Sequence, residues 1–260
     1  MRFANRVALV TGGSSGIGEA TARAFAKEGA AVGVLGTNRE AVERVKYDIE
    51  SAGGSAVGII ADVSQPHDVQ RAVQETVNAF GGLDIVFANA GINGVWAPVD
   101  ELEPDEWDKT LDINLKGTYL TVRYAVPHMR QNGGCIIVTS SVNGTRMFSN
   151  AGASAYASSK AAQVAFTKMV ALELAKYKIR VNVICPGAIE TPIQESTEKR
   201  SLEKAQEPVD YPDGEIPLTD GEPGTAQQVA DLVLFLASDA AQHISGTEIW
   251  IDGAQSLLQG

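Results

Sequence analysis

The sequence predicts an α/β fold in which a single doubly wound parallel sheet carries helices on both faces. Three observations lead to it. Short β-branched apolar runs alternate with longer stretches of helical spacing, which is the pattern of βαβ units. Most of those runs are apolar on both faces instead of alternating, as strands covered on both sides must be. At 260 residues, 44% hydrophobic and 20% charged, the chain is also long enough for one substantial core, which argues for a single domain over residues 1–260.

Taken in order, the strand runs are Val7 to Val10, Ala31 to Leu35, Ala56 to Ile60, Ile85 to Ala88, Cys135 to Val138, Val181 to Ile184 and Glu248 to Ile251. Right-handed crossovers between parallel strands wind these seven into one sheet. Between them, helical spacing covers Glu19 to Lys27, Arg39 to Ser51, Asp68 to Phe80, Trp107 to Met129, Tyr156 to Tyr177 and Ala226 to Leu236. Gly29, Gly53 and Gly81 are placed to end three of them. One segment breaks the rhythm. Residues Ile193 to Pro223 hold nine acids against three bases, with four prolines, and a connection that long in a compact domain reads either as a substrate lid, here placed at about 191–223, or as a solvated loop.

Composition narrows the function. A formal net charge of −11 opposes nucleic acid or an anionic membrane surface as the main partner, since both need concentrated Lys and Arg. Cys135 and Cys185 stand fifty apart in apolar runs and read as buried thiols in a reducing compartment. No apolar run approaches a membrane span, and the N-terminus lacks a signal h-region, so the chain is expected to be soluble and cytoplasmic. His67, His128 and His243 have no second ligand at metal spacing, and no metal is assigned.

Two motifs carry chemistry. After the first strand comes Thr11-Gly12-Gly13-Ser14-Ser15-Gly16-Ile17-Gly18. A strand, a glycine-rich turn and a helix start aim backbone N–H groups at an anion, and the glycines let a pyrophosphate approach the main chain. The second motif is Tyr156-Ala157-Ser158-Ser159-Lys160. On a helix, Tyr156 and Lys160 share a face, and a cation beside a phenol favours the phenolate, so Tyr156 is expected to exchange a proton near neutral pH. Ser141, at the end of the fifth strand run, is placed to hydrogen-bond the same substrate oxygen, with Ser140 as its rival.

Together with Ala88-Asn89-Ala90-Gly91, Asn114, and Pro186-Gly187 with Thr191, these residues resemble the short-chain dehydrogenase/reductase family in order and spacing, over nearly the whole chain. The resemblance implies a Rossmann-type seven-stranded sheet binding NAD(H) or NADP(H) at its carboxyl edge. It implies Tyr156 as general acid/base, Lys160 lowering its pKa and holding the nicotinamide ribose, Ser141 orienting the substrate oxygen, and Asn114 supporting a water-linked relay to Lys160. It further implies that Gly12, Ser14, Ser15, Gly16, Ile17 and Gly18 hold the pyrophosphate, and that Asn89, Ala90 and Gly91 line the crevice. Asp62 and Val63 would then meet the adenine ring, and Pro186, Gly187, Ile189 and Thr191 the nicotinamide side. A homotetramer built on the long helices and the last strand is implied as well.

Two departures from the family pattern are visible. Where NAD-preferring members carry an acid at the end of the second strand, this chain has Gly36-Thr37-Asn38-Arg39. Without that carboxylate a 2′-phosphate is not repelled. Although Thr37 stands where many NADP-preferring members carry Arg, Arg39 is able to swing in or else is an ordinary charge in a helix's first turn. The reading tilts to NADP(H) with NAD(H) possible, and Asp at position 36 is expected to shift it back. The stretch from Ser141 to Tyr156 is about two residues longer than the family's. Candidate substrate contacts are Asn93, Val95 and Trp96, then Asn143, Met147 and Phe148, then Ala188 and Ile189. Trp96 and Phe148 fit a core or subunit contact equally well. The lid's net charge of −6 (nine acids, three bases) favours a small neutral ketone, alcohol or sugar. The alternatives are a 3-oxoacyl-thioester reductase with a basic docking surface near Arg130, Lys168 and Lys176, and a cofactor-sensing protein without turnover. The presence of both Tyr156 and Lys160 opposes the last.

Overall fold

The computed structural model describes residues 1–193, 197–207 and 216–259. Seven strands form one sheet: β1 (Val7–Thr11), β2 (Ala31–Gly36), β3 (Ser55–Ile60), β4 (Ile85–Ala88), β5 (Gly134–Thr139), β6 (Ile179–Pro186) and β7 (Glu248–Ile251). All six neighbouring pairs are parallel. The strand order β7-β6-β5-β4-β1-β2-β3 reverses between β1 and β4, so a crevice opens beyond the carboxyl ends of those two strands. This is the Rossmann-type single domain that the family resemblance implied.

Alternation along each strand separates two cores. Val7 and Leu9 of β1, with Ile136 and Val138 of β5, pack on one face against α3 (Pro66–Phe80), α5 (Gly117–Met129) and α6 (Ser154–Leu174). Ala8 and Val10, with Cys135 and Ile137, pack on the other against α1 (Gly16–Lys27), α2 (Arg39–Ser51) and α7 (Ala226–Ala237). Both faces of the sheet are therefore dry, which is why the strand runs read as continuous apolar sequence.

One expected helix divides in two. In place of a single run from Trp107, α4 (Pro104–Leu111) starts at a proline behind a Glu103/Glu106 capping box. A π-helical turn, Asp112–Lys116, then joins it to α5. Within that turn the Asn114 carbonyl accepts from Thr118 Oγ1 (2.7 Å) and from Gln163 Nε2 of α6 (2.9 Å). The widened turn draws Asn114 into the interior, a common use of π-bulges. A final short helix, α8 (Ser256–Gln259), ends the described chain.

The 191–223 segment is described only in part, since residues 194–196 and 208–215 lie outside the described residues. Its described portion is tied to the body of the domain. Glu198–Lys199 pairs with Val95–Trp96, Arg200 bridges Glu106 (2.8 Å) and donates to the Glu101 carbonyl (2.6 Å), and Lys204 pairs with Glu101.

Phe25 is 0% exposed and meets Phe3 edge to face, with ring centroids 5.2 Å apart. Phe25→Ala is expected to lower stability by about 3–5 kcal/mol in chemical denaturation, through lost transfer energy and the cavity left behind. A loss below about 1 kcal/mol would show that the α1 side of the core repacks.

Candidate active site

The ends of β1, β4 and β5 are stitched by three polar side chains. Thr11 Oγ1 accepts from the Asn89 and Ala90 N–H groups (2.9 and 3.1 Å), Asn89 Nδ2 donates to the Thr11 carbonyl (3.2 Å), and Thr139 Oγ1 donates to Asn89 Oδ1 (3.1 Å). This holds the glycine-rich turn and the Asn89–Gly91 loop on opposite lips of the crevice. A cavity of about 630 Å³ lies between them.

Most of the expected residues line this cavity. From the turn come Gly12, Ser15, Gly16 and Ile17, and from the β4 loop Asn89, Ala90, Gly91, Asn93 and Trp96. Ser141, Asn143 and Met147 follow β5, Tyr156 and Lys160 project from the start of α6, and Pro186, Gly187, Ala188, Ile189 and Thr191 follow β6. Several expected contacts lie outside it. Gly18 packs within the turn itself, where an added Cβ would lie 2.0 Å from the Gly12 carbonyl oxygen. Ser14, Thr37, Arg39, Asp62 and Val63 stand outside the cavity lining, on the turn and beyond the ends of β2 and β3. The Asp62 carboxylate accepts from the Ser64 N–H (2.9 Å), and Val63 is buried.

The substrate wall needs one correction. Phe148 is 74% exposed and does not line the cavity. The bridge between Asn143 and Met147 turns Met147 inward, so its neighbour points outward. Trp96 does line it. Its indole N–H donates to the Asn93 carbonyl (3.2 Å), and its ring centroid lies 6.5 Å from that of Tyr156. Among the lining residues that escaped the sequence are two amides. Asn150, in the extended loop, donates from Nδ2 to Asn143 Oδ1 (2.6 Å), and Gln255 Oε1 accepts from the Ala188 N–H (3.0 Å). The length of the loop was a signal for Asn150. Gln255 reaches the site only through the pairing of β7 with β6, which no local pattern announces.

Geometry separates the two serines. Ser140 donates from Oγ to the Lys160 carbonyl (2.7 Å) and anchors α6. Ser141 Oγ accepts from the Asn143 N–H (3.1 Å) and faces the Tyr156 phenol, leaving its own proton to donate. Asn114 is fully buried. Its amide bonds both the N–H and the carbonyl of Ile92 (2.8 and 2.9 Å) and Ser159 Oγ (3.0 Å), pinning the β4 loop to α6.

The expected electrostatics of the pair are altered by burial. Burial pushes the Tyr156 phenol above its ordinary value, and the Ser141 hydroxyl pulls it only partly back. Lys160, expected to acidify the phenol, is not among the groups that shift it in the cofactor-free protein. The ammonium sits 5.5 Å from the ring centroid and is committed to the Thr139 carbonyl (3.0 Å). Burial also pushes Lys160 down to about 8, with the nearby Cys185 opposing the shift. Desolvation of a fully buried group outweighs a neighbouring charge held at that distance.

The residues fit a dinucleotide. Ser15, the N-cap of α1, makes no side-chain capping bond, so the helix's first N–H groups face the cavity without a side-chain acceptor. A Cβ at Gly91 would come within 3.1 Å of Asn114 Oδ1 and 3.5 Å of Lys160 Nζ, so only glycine keeps that wall open. One expectation at the ribose changes. A Cβ at Gly36 would point at Ser14 Oγ (2.6 Å) and Val42 (3.0 Å), into the turn and not toward the rim. Thr37, the next residue and exposed, is the position from which a side chain reaches outward.

A family model described as Enoyl-(Acyl carrier protein) reductase matches residues 12–254. Cyclohexanol dehydrogenase of Acinetobacter sp. (strain SE19) is 36% identical over 254 residues, covering 97% of this chain and 96% of that protein. The crystal structure of a 3-ketoacyl-ACP reductase from Sinorhizobium meliloti 1021 is 52% identical with a TM-score of 0.92, over 97% of this chain and 99% of that one. Two further crystal structures carry cofactor. A 3-ketoacyl-(acyl-carrier-protein) reductase from Brucella melitensis complexed with NADH is 32% identical (TM-score 0.85, 98% and 99% covered), and a short chain dehydrogenase from Burkholderia cenocepacia J2315 in complex with NADP is 35% identical (TM-score 0.85, 97% and 98% covered).

Lys160 generates a stability prediction. Its folded pKa of about 8 lies below the ordinary lysine value of 10.5, so the unfolded chain binds the extra proton between those values. Burial of the ammonium therefore costs stability fully below about pH 8, and the cost fades as pH rises toward 10.5. Lys160→Met is expected to melt higher than the native protein at pH 7, with the difference shrinking by pH 10. Equal melting temperatures at both pH values would show that the ammonium is not desolvated.

Proposed function

Because this chain belongs to the short-chain dehydrogenase/reductase family, we propose that it interconverts a secondary alcohol and a carbonyl on a small neutral substrate, using NAD(P)(H). The observation that carries this reading is the convergence of the Tyr156 phenol and the Ser141 hydroxyl on a cavity whose one charged lining side chain, among the described residues, is Lys160. When bound, the nicotinamide cofactor supplies or accepts the hydride.

The chain's own residues handle the proton. Ser141, its lone pair engaged by the Asn143 N–H, donates to the substrate oxygen and orients it. Tyr156 gives its proton to that oxygen in reduction and takes it back in oxidation. A phenol raised by burial is protonated at neutral pH, which suits the reductive direction. Lys160 holds the ribose side and balances the phenolate. Asn114 supports the relay behind Lys160 by fixing the Ile92 loop against α6. Gly12, Ser14, Ser15, Gly16, Ile17 and Gly18 form the pyrophosphate turn, with Asp62 and Val63 on the adenine side. The 191–223 segment acts as the lid, its Thr191 and Ile193 lining the cavity.

NADP(H) is the preferred cofactor in this reading, with NAD(H) accepted. No carboxylate stands among Gly36, Thr37 and Asn38, and Arg39 forms no ion pair among the described residues. The cations nearer the turn are already neutralised: Arg44 and Arg23 both bind Glu19 (2.7 Å each). The enzyme assembles as a homotetramer. Tyr119 of α5 and Met169 and Leu172 of α6 expose one apolar face, and Leu257 and Leu258 expose another beyond β7. The two buried free thiols, Cys135 and Cys185, agree with a cytoplasmic location.

The 52% likeness to the Sinorhizobium protein favours a 3-oxoacyl-thioester reductase as the second reading. The basic residues considered for carrier docking weigh against it. Lys168 is paired with Glu248, and Arg130 and Lys176 flank the Tyr177 ring (5.0 and 5.1 Å). Lys176 lies twenty residues beyond Tyr156, on the order of 30 Å along the helix.

Tyr156→Phe is expected to keep cofactor binding and lose turnover by at least about a hundredfold, read as cofactor absorbance change against ketones, alcohols, sugars and a 3-oxoacyl thioester. Persistent turnover would remove Tyr156 from the mechanism. Loss of cofactor binding from the native protein would favour neither enzyme reading. Thr37→Asp is expected to move the NADP(H)/NAD(H) ratio of kcat/KM toward NAD(H) by about tenfold or more, through repulsion of the 2′-phosphate. An unchanged ratio would place the adenosine ribose elsewhere.

A further inference from the structure

The substrate half of the cavity carries three amides whose hydrogen-bonding capacity the protein leaves partly unused. Asn143 and Asn150 bond each other once, Nδ2 of Asn150 to Oδ1 of Asn143 at 2.6 Å. That single bond leaves Asn143 Nδ2 as a donor and Asn150 Oδ1 as an acceptor, side by side, with no protein partner among the described residues. Across the cavity, Asn93 is 6% exposed and donates from Nδ2 to Thr197 Oγ1 (2.7 Å), which fixes the amide and leaves its Oδ1 without a protein partner among the described residues. All three residues line the cavity, and among the described residues no carboxylate does.

Resting on the oxidoreductase reading above, we propose that this site takes a small neutral polyol, bearing at least one further hydroxyl beside the carbon that reacts. A hydroxyl both donates and accepts, so it satisfies the neighbouring Asn143 donor and Asn150 acceptor together. A ketone or an ether can only accept, and an apolar ring leaves both groups buried and unpaired. The pair also stands at the reacting centre. The Asn143 backbone N–H is bonded to Ser141 Oγ (3.1 Å), so its side chain reads the substrate beside the oxygen that Ser141 orients. Trp96, Met147 and Ile189 supply apolar surface for the carbon skeleton between the polar groups. Among the described residues no carboxylate lines the cavity and its one cation is tied to Thr139, a lining suited to a neutral substrate.

The test is kcat/KM over a matched set of cyclohexanol, cis- and trans-cyclohexane-1,2-diol, a cyclitol and a 3-oxoacyl thioester, with each nicotinamide cofactor. The diols or the cyclitol are expected to exceed cyclohexanol by about tenfold or more, because sites built to bond a hydroxyl reject analogues lacking it. Asn143→Leu and Asn150→Ala, in separate proteins, are each expected to reduce that polyol-to-cyclohexanol ratio at least about tenfold. The truncation at the half-buried Asn150 guards against a folding defect at Asn143. Tyr156-dependent turnover of cyclohexanol or the thioester without preference for the diols would overturn the polyol inference and leave the oxidoreductase reading standing. A polyol preference that survives both substitutions would also overturn it. No Tyr156-dependent turnover anywhere in the set would sink both readings.

Discussion

The strand order reverses once, between β1 and β4, and the chemistry depends on how that gap is held. Thr11, Asn89 and Thr139 tie three strand ends together through side-chain bonds of 2.9–3.4 Å. The turn after β1 and the loop after β4 are thereby fixed on the two sides of the cavity. The same stitch supplies the Thr139 carbonyl that receives the Lys160 ammonium. Tyr156 and Lys160 of α6 and the first N–H groups of α1 thus share one frame, although α6 begins more than a hundred residues after α1.

Within that frame, burial and charge compete over Tyr156 and Lys160. Both groups are desolvated, and each is pushed toward its neutral form, the phenol up and the amine down to about 8. At neutral pH a protonated phenol beside an ammonium whose pKa is held near 8 is a different resting pair from the ammonium and phenolate that spacing alone suggests. Among the described residues Ser141 is the group that favours the phenolate, and its hydroxyl, held by the Asn143 N–H on one lone pair, keeps its proton to donate. The extended loop after β5 therefore lines the cavity and also holds the Ser141 hydroxyl.

Much of this was legible in the sequence, for identifiable reasons. Strands buried on both faces leave unbroken apolar runs, and β1 and β4 fall where those runs fall. A phenol and an amine four apart on a helix must share a face, and they do. What escaped was set at long range. The break before α5 depends on Asn114 bonding Ile92 and Gln163, both distant in sequence. Parity at element ends was equally hidden: Gly36 points into Ser14 while Thr37 is exposed, and Met147 turns inward while Phe148 turns out. One-residue shifts of this kind exchange faces without altering any local pattern. The downward shift of Lys160 required knowing how completely the helix start is covered.

The account turns on desolvation setting the protonation of the Tyr156–Lys160 pair. The most direct measurement is an NMR titration of the cofactor-free protein with ¹³C-labelled lysine, the Lys160 signal assigned by its loss in Lys160→Met. A midpoint near 8, well below that of the surface lysines, is the predicted result. A midpoint at or above 10.5 would show that charge, not burial, governs the site, and would contradict the account.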